Sequence, residues 1–257
     1  IYERLILLIQ NFVSRFYGKS HFEFIITAGG FLTFKFPEGI RYGISIPYVE
    51  KYQVQVFQHE ADKAINTFIR LLPTATFRQL QEIADYFTIG IDGYNPFDKQ
   101  KIELVGVYDL KNENVIRWTG KFYPTEQQKH DLIKITDLNS HFIELNHQRL
   151  LLLGCHDLNV YSPRGQAAAN PEGWRRKIAD RFKKHCKEFM PEIVIQHPHT
   201  TDTPKIWNAA WSELVRELPS VNHFVSGINY SNKNGVRGNL NDVLQKTKKG
   251  DVIDFHL

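Results

Sequence analysis

The segment Leu150-Leu151-Leu152-Leu153-Gly154-Cys155-His156-Asp157 gives the strongest indication of the fold. Its four leucines form the most apolar strand candidate of the chain, and a continuous apolar run is typical of a strand buried on both faces. Gly154 ends the run, and a cysteine, a histidine and a carboxylate follow it. We therefore expect a buried strand that delivers Cys155 at its carboxyl end, where α/β sheets hold their ligands.

Helices and strands alternate on both sides of this strand. Apolar periodicity predicts helices at 3–16, 56–72, 174–189 and 206–218, and a further helix for which Thr76 is the expected N-cap. Apolar and β-branched runs predict strands at 22–27, 31–36, 87–91, 102–109, 115–119, 192–196 and 224–228, with Asp92-Gly93 interpreted as a turn. Such alternation predicts a mainly parallel α/β sheet, and residues 1–257 show no linker that would divide one domain into two.

The composition is that of an ordinary globular protein. The chain has 257 residues, of which 42% are hydrophobic, and its 32 Lys and Arg face 28 Asp and Glu. Because the basic residues are spread out, and the clusters at 175–184 and 246–249 are expected to be solvated, nucleic acid is an unlikely partner.

The two cysteines are too few for a disulfide framework, and no apolar run is long enough to span a bilayer. We expect a reducing, cytoplasmic location and no membrane partner.

The two cysteines differ in their surroundings. Cys155 follows a buried strand and has His156, Asp157 and Asn159 as polar neighbours, which favours a reactive thiol over an inert core residue. Cys186 lies midway along a charged helix, so we expect it to be structural or exposed. Cys155 is therefore the candidate nucleophile.

A second constellation allows another chemistry. His197, His199 and Asp202 form a His-x-His-x-x-Asp string after another strand. Together with His156 and Asp157 it would offer enough nitrogen and oxygen ligands for zinc, so a metal-dependent hydrolase or nuclease is the alternative enzyme class. No further spaced His or Asp motif accompanies it, and we expect that no metal or other cofactor is required.

Three short motifs resemble those of the nitrilase, or carbon-nitrogen hydrolase, superfamily. They are Phe36-Pro37-Glu38 at a strand end, Gly120-Lys121 after a hairpin, and Cys155-His156-Asp157 followed by Arg164. The order Glu, Lys, Cys is that of the family. The resemblance implies a four-layer α-β-β-α sandwich, with mixed sheets that contain buried parallel strands.

The resemblance also implies a chemistry. Glu38 would be the general base, Cys155 the nucleophile that attacks an amide or nitrile carbon, and Lys121 the group that stabilises the developing negative charge. The intermediate would be a thioester, with the backbone N–H of His156 completing the oxyanion hole.

Further residues are expected around this site. Asp157 and Arg164 would brace the loop after the nucleophile, and the substrate-binding candidates are His156, Glu126, His197 and His199. Nitrilase-like proteins usually pair, so a homodimer is implied. A non-catalytic module with the same fold, used for binding or assembly, is the third reading.

Overall fold

The computed structural model describes residues 2–37, 51–97, 99–125, 128, 130–163, 170, 172–199, 204–229, 231–232, 235–236 and 239–255; of residues 51–53, 231–232 and 235–236 only the backbone is described. Glu38, Glu126, Arg164 and Asp202, which the sequence analysis singled out, lie outside the described residues.

A mixed sheet forms one half of the protein. Within the described residues it has six strands: β1 (Phe22–Ile26), β2 (Leu32–Lys35), β3 (Ala84–Tyr94), β4 (Lys101–Asp109), β5 (Asn114–Gly120) and β6 (Leu132–Ile133). Strands β1 and β2 both run parallel to β3, one after the other along its length. Strand β4 is antiparallel to β3 and β5 and parallel to β6. The carboxyl ends of β1 and β5 therefore come to one region of the sheet.

A second sheet carries the leucine-rich strand. Its order is β13-β10-β9-β8-β7, where β7 is Phe142–Leu145, β8 Gln148–Leu153, β9 Ile193–Gln196, β10 His223–Ser226 and β13 Lys248–Lys249. The three central strands are parallel, and the two edge strands are antiparallel to their neighbours. The strand that delivers Cys155 is thus internal and parallel to β9, as its continuous apolar run predicts. A separate two-stranded ribbon pairs β11 (Ser231–Asn232) with β12 (Gly235–Val236).

The helices cover the outer faces of the two sheets and give four layers. The first sheet packs against α1 (Tyr2–Phe16), α2 (Lys51–Leu71) and α3 (Thr74–Ile83). The second packs against α4 (Trp174–Phe189) and α5 (Pro204–Glu217), and α6 is Leu240–Lys246. The side chains of β8 alternate between the two neighbouring layers. Leu151 and Leu153 face the helices, while Leu150 and Leu152 face the other sheet. The predicted α-β-β-α sandwich is confirmed. Among the described residues, no helix has the length and apolar character needed to cross a membrane.

Two local predictions were wrong. Asp92 and Gly93 do not form a turn, since β3 continues through them and pairs with β2 on one side and β4 on the other. A glycine is needed there because a Cβ at Gly93 would lie 2.4 Å from the ring of Phe34. Thr76 does not cap α3, which begins two residues earlier after Pro73.

Candidate active site

The strand β8 ends in a tightly packed mount for Cys155. Gly154 cannot be replaced without movement, because a Cβ on it would lie 2.9 Å from the backbone nitrogen of Lys121. The side-chain amide of Gln196 donates a 2.9 Å hydrogen bond to the carbonyl oxygen of Cys155 and accepts one from Ser226. The thiol is 5% exposed. The position of Cys155 is therefore held by Gln196 of the neighbouring strand β9 and by close packing against Lys121 of the other sheet.

Asp157 joins the cysteine loop to the lysine segment. Its carboxylate is fully buried; Oδ2 accepts from the backbone N–H of Gly154 at 2.8 Å, and Oδ1 accepts from those of Phe122 and Tyr123 at 3.1 and 2.9 Å. Burial raises the pKa of Asp157 to about 7, although these hydrogen bonds and Lys121 act in the opposite direction. A supporting role for Asp157 agrees with these contacts, which involve backbone N–H groups.

Lys121 follows β5 and forms a buried ion pair with Glu103 of β4. Its Nζ lies 2.9 Å from Oε2 of Glu103, and the two side chains are 0% and 6% exposed. Burial alone would raise the pKa of Glu103, but Lys121, His199 and Lys101 hold it below its ordinary value. The site therefore contains a fixed ammonium next to a carboxylate that stays ionised at neutral pH.

His199 lies between the carboxylate of Asp92 and the cysteine. Its Nε2 is 2.6 Å from Oδ2 of Asp92, and its backbone N–H donates to Sγ of Cys155 at 3.4 Å. Burial would lower the pKa of the ring, yet Asp92 and Cys155 raise it well above its ordinary value. Gly29 and Gly30 leave room for this ring, since a Cβ on either would lie within 3.2 Å of it.

Nearby histidines favour the thiolate form of Cys155. Nδ1 of His156 lies 3.7 Å from Sγ, and the N–H of His199 points at the sulfur. Burial acts against the charge, but these groups outweigh it and lower the pKa of Cys155 to about 6. By contrast, Cys186 is fully buried in α4 rather than solvated, and burial raises its pKa to about 12.

The described residues hold one cluster with the donor atoms of a metal site. One atom each from Glu103, Cys155 and His199 lie within 4.8 Å of one another. Of the zinc ligands expected from the sequence, only His199 belongs to this cluster. The carboxylate of Asp157 instead accepts hydrogen bonds from backbone N–H groups. The ammonium of Lys121 already neutralises Glu103, and it would repel a divalent cation at that oxygen.

The remaining predicted residues have different placements. His156 lies beside the thiol, as expected of a residue at the site. His197 is 1% exposed, and its Nδ1 donates to the carbonyl oxygen of Thr27 at 2.7 Å, so it connects the two sheets. Burial lowers the pKa of its ring to about 4, which keeps the ring neutral. A role of His197 in binding substrate stays a prediction, as do the roles of Glu38, Glu126 and Arg164.

The expectation that the basic cluster at 175–184 is solvated was wrong for Arg175. It opens the basic segment that was expected to be solvated, but it is 8% exposed and its guanidinium donates to the carbonyl oxygen of Pro124. The same group lies 4.2 Å from the centroid of the Tyr123 ring. Its cationic head is therefore used to anchor the segment that follows Lys121.

Sequence reasoning missed three residues of the site. Asp92 was not assigned to the site because it belongs to an Asp-Gly pair, which is typical of a turn. Gln196 was interpreted only as the last residue of a strand. Glu103 has the clearest signal in retrospect: it is a carboxylate within the apolar run Ile102-Glu103-Leu104-Val105 of a strand that is otherwise buried. A charge at such a position needs a partner, which here is Lys121.

Comparison with known proteins gives matches among solved structures. No family model and no curated protein matches the sequence. A glutamine-substituted variant of the amidase from Nesterenkonia sp. AN1, with the acetamide moiety of fluoroacetamide added at its active-site cysteine, is 11% identical over 92% of this chain and 73% of that chain, with a TM-score of 0.52. Nit3 of Saccharomyces cerevisiae is 11% identical over 91% and 71% of the two chains, with a TM-score of 0.48. The glutamine-dependent NAD+ synthetase of Acinetobacter baumannii is 13% identical over 90% and 36%, with a TM-score of 0.47.

The likeness to the Nesterenkonia amidase, at a TM-score of 0.52, shows the fold. That amidase is described as a member of the nitrilase superfamily. This chain therefore has the fold of a nitrilase-superfamily protein, and the predicted resemblance is confirmed at the level of the fold.

Proposed function

We propose that the protein is a cysteine-dependent hydrolase that cleaves a non-peptide carbon-nitrogen bond of an amide or nitrile. The observation that carries the proposal is the setting of Cys155 at the end of β8. Its thiol lies within 4.8 Å of Glu103 and His199, and Glu103 in turn holds the ammonium of Lys121 at 2.9 Å. The lowered pKa of Cys155 supplies a thiolate at neutral pH.

Each residue type has a defined task in such a reaction. The thiolate of Cys155 would attack the carbonyl or nitrile carbon, and the resulting negative charge would be stabilised by Lys121 and the backbone N–H of His156. With an amide, protonation and release of the nitrogen would leave a thioester, which water then hydrolyses. With a nitrile, water would first add to the thioimidate, and loss of ammonia would then give the same thioester. Glu38, predicted to be the base, lies outside the described residues, so its role remains a prediction.

The electrostatics of the ion pair support this proposal. Lys121 has no exposed surface, and holding a buried cation requires a partner such as Glu103. A cation fixed in a water-poor site interacts strongly with charge that develops beside it. A module that used this fold only for assembly would have no need of a buried Lys–Glu pair beside a thiol.

The test is hydrolysis of a graded set of small substrates. Primary amides from acetamide to hexanamide, benzamide and the matching nitriles would be incubated with the protein, and ammonia release would be measured. We expect turnover of at least one compound, a loss of about 1,000-fold or more in Cys155→Ser, and normal turnover in Cys186→Ala as a matched control.

Two results would contradict the proposal. Equal activity in Cys155→Ser would exclude this nucleophile. Loss of activity to a chelator, restored by zinc and accompanied by stoichiometric bound zinc, would favour the metal-dependent hydrolase instead.

A further inference from the structure

His199 places its two ring nitrogens beside carboxylates of two neighbouring strands. Nε2 lies 2.6 Å from Oδ2 of Asp92 on β3, and Nδ1 lies 3.9 Å from Oε2 of Glu103 on β4. We propose that His199 is a fixed imidazolium that bridges these two carboxylates and exchanges no proton during the reaction. It is thereby a positioning residue for Lys121 and Cys155. Its effect on turnover rests on the proposed function, but its charge can be tested without any substrate.

The two carboxylates are placed opposite each other by the register of the sheet. Asp92 and Glu103 are direct cross-strand partners in the antiparallel pairing of β3 with β4. The side chains of such partners leave the same face of the sheet about 5 Å apart, and like charges in these positions repel each other. Because Glu103 is 6% exposed and Asp92 is 28% exposed, water screens this repulsion only in part. A cation between the two carboxylates therefore stabilises the sheet beside Cys155.

The lysines leave one of these two charges without compensation. Nζ of Lys121 lies 2.9 Å from Oε2 of Glu103, and Lys101, which contacts the other oxygen, is 39% exposed and so partly screened. Among the described residues, only His199 forms an ion pair with Asp92. Because Nε2 donates to Asp92, a neutral ring would leave Nδ1 with a lone pair beside the oxygen of Glu103. A second proton on Nδ1 turns this repulsion into attraction.

The electrostatics of the ring agree with this arrangement. Burial would lower the pKa of His199, but the hydrogen bond to Asp92 and the charges of Asp92 and Cys155 raise it to about 11. The ring is then protonated at neutral pH, and it has no lone pair with which to take the thiol proton. The base therefore remains the carboxylate predicted at Glu38, which lies outside the described residues.

Two glycines make room for the bridge. A Cβ on Gly29 would lie 3.1 Å from Nδ1 of His199, and one on Gly30 would lie 2.9 Å from Oδ2 of Asp92. The N–H of Gly29 also donates to the carbonyl oxygen of Pro198 at 3.0 Å, which fixes the backbone just before His199. Larger side chains at these two glycines would therefore push the ring away from the carboxylate.

The backbone of His199 connects the bridge to the nucleophile. Its N–H donates to Sγ of Cys155 at 3.4 Å, and one ring nitrogen, Sγ and a carboxylate oxygen of Glu103 lie within 4.8 Å of one another. A positive charge fixed at this distance stabilises the thiolate, and it holds Glu103 in place beside Lys121. The bridge therefore acts both on the charge of the nucleophile and on the position of the lysine that stabilises the developing negative charge.

The direct test is a pH titration of the His199 ring by heteronuclear NMR, in protein labelled at the histidine nitrogens. The two ring nitrogens of an imidazolium have similar chemical shifts, whereas those of a neutral ring differ widely. Their resonances are assigned by their absence in His199→Gln. In a titration from about pH 5 to pH 10, the ring should stay an imidazolium up to about pH 9, unlike an ordinary histidine with a pKa near 6.5. The titratable groups that face the ring or its partners are Asp92 on β3, Glu103 and Lys101 on β4, Lys121 after β5, and Cys155 and His156 after β8.

Removal of Asp92 should release the proton. Asp92→Asn takes away the carboxylate that stabilises the charged ring, so the ring should titrate within this range, about one pH unit or more below its midpoint in the unsubstituted protein. Asp85→Asn is the matched control, because it removes the partner of His21 in a half-exposed contact of 3.2 Å and should leave the titration of His199 unchanged. Titration of the His199 ring below about pH 9, a neutral ring throughout, or equal behaviour in Asp92→Asn and the control would overturn the proposal.

Alkylation of Cys155 reports how the charge of the ring acts on the nucleophile. With limiting iodoacetamide, read by peptide mass, the rate in the unsubstituted protein should rise with an apparent pKa near 6. His199→Gln keeps a polar side chain without the charge, so it should raise this apparent pKa by about one pH unit or more. The surface variant His21→Gln should leave the profile unchanged. A ring that only filled space would not affect the profile, so an unchanged profile in His199→Gln, folded by circular dichroism, would also overturn the proposal.

Failure of this inference is distinguishable from failure of the proposed function. Amide hydrolysis that depends on Cys155, with a His199 ring that titrates as an ordinary histidine, would remove the bridge and keep the hydrolase. A persistent imidazolium and a shifted alkylation profile, without turnover of any amide or nitrile, would remove the hydrolase and keep the bridge.

Discussion

The backbone N–H of Tyr123 donates a 2.9 Å hydrogen bond to the buried carboxylate of Asp157. This contact joins the segment after Lys121, which belongs to one sheet, to the loop after Cys155, which belongs to the other. Because Phe122 and Gly154 donate to the same carboxylate, one side chain sets the separation of the lysine and the cysteine.

Replacement of Asp157 should therefore damage both stability and the site. In Asp157→Asn the amide can accept at one position only, so at least one buried N–H loses its partner, at a cost of about 1–3 kcal/mol in the free energy of unfolding. Urea unfolding would measure the change. Asp137→Asn is the control, because the exposed Asp137 caps a short helix with one bond to Asn139, a task that asparagine performs equally well. A stability loss in Asp157→Asn no larger than in the control would contradict this role.

The ion pair between Lys121 and Glu103 predicts a larger effect. Glu103→Gln leaves a fully buried ammonium without its counter-charge, and breaking one side of a buried pair is expected to lower the free energy of unfolding by about 3–5 kcal/mol. Glu192→Gln removes a partially exposed partner of Arg149 and should change the free energy of unfolding far less, because solvent screens this pair. Chemical denaturation of the two variants checks the contrast, and equal effects would show that Lys121 is solvated.

The two cysteines should differ sharply in labelling. Iodoacetamide below one equivalent should modify Cys155 in the native protein, because its pKa is lowered to about 6. Cys186 should stay unlabelled until the protein unfolds, because burial raises its pKa to about 12 and leaves no exposed surface. Peptide mass spectrometry in native buffer and in denaturant gives the comparison. Labelling of Cys186 first in native buffer would leave the assignment of the nucleophile without support.

The neutral, buried His197 predicts an acid-sensitive contribution to stability. Its pKa is lowered from an ordinary value of 6.5 to about 4. Between these two pH values the unfolded chain therefore binds a proton at this histidine, and the folded protein does not. Stability is therefore lost as pH falls from 6.5 towards 4, by up to about 1.4 kcal/mol per pH unit from this one residue. The variant His197→Asn can still donate to Thr27 but cannot titrate in this range.

The comparison of the two proteins isolates His197 from other groups. His141 is also buried and titrates low, and Asp157 titrates high and acts in the opposite direction, but both are present in the unsubstituted protein and in the variant. The stability advantage of the unsubstituted protein over His197→Asn should shrink as pH falls, as measured by thermal or urea unfolding. A constant difference would mean that His197 is protonated or solvated in the folded state.

Much of the fold was predictable because local patterns and burial agree. The run 150–153 predicted an internal parallel strand, and the charged periodic segment Trp174–Phe189 predicted its helix to the residue. The Asp-Gly pair at Asp92 misled the prediction, because turn chemistry and the close approach of an aromatic ring both select glycine. The alternative expectation that Cys186 is exposed has a similar origin. Lysines precede and follow it in the sequence, although its own face of the helix is buried.

The candidate site was predicted only in part, for a physical reason. Cys155, His156 and Asp157 lie next to a recognisable strand end, and their placement follows from the chain itself. Glu103 and Asp92 reach the site from the interior of other strands, where only sheet register brings them to Lys121 and His199. Register across a sheet is not visible in a single sequence when both faces of the strand are apolar.

In the proposed reaction, Cys155 attacks a carbon-nitrogen substrate and forms a thioester. The most direct measurement of this step is the intact mass of the protein after rapid acid quenching during turnover of the best amide, followed by mapping of the modified peptide. We expect a transient mass increase of one acyl group on the peptide that contains Cys155, sensitive to hydroxylamine and missing in Cys155→Ser. Turnover of the same amide with no acylated peptide under any quench, or with the acyl group on another residue, would contradict it.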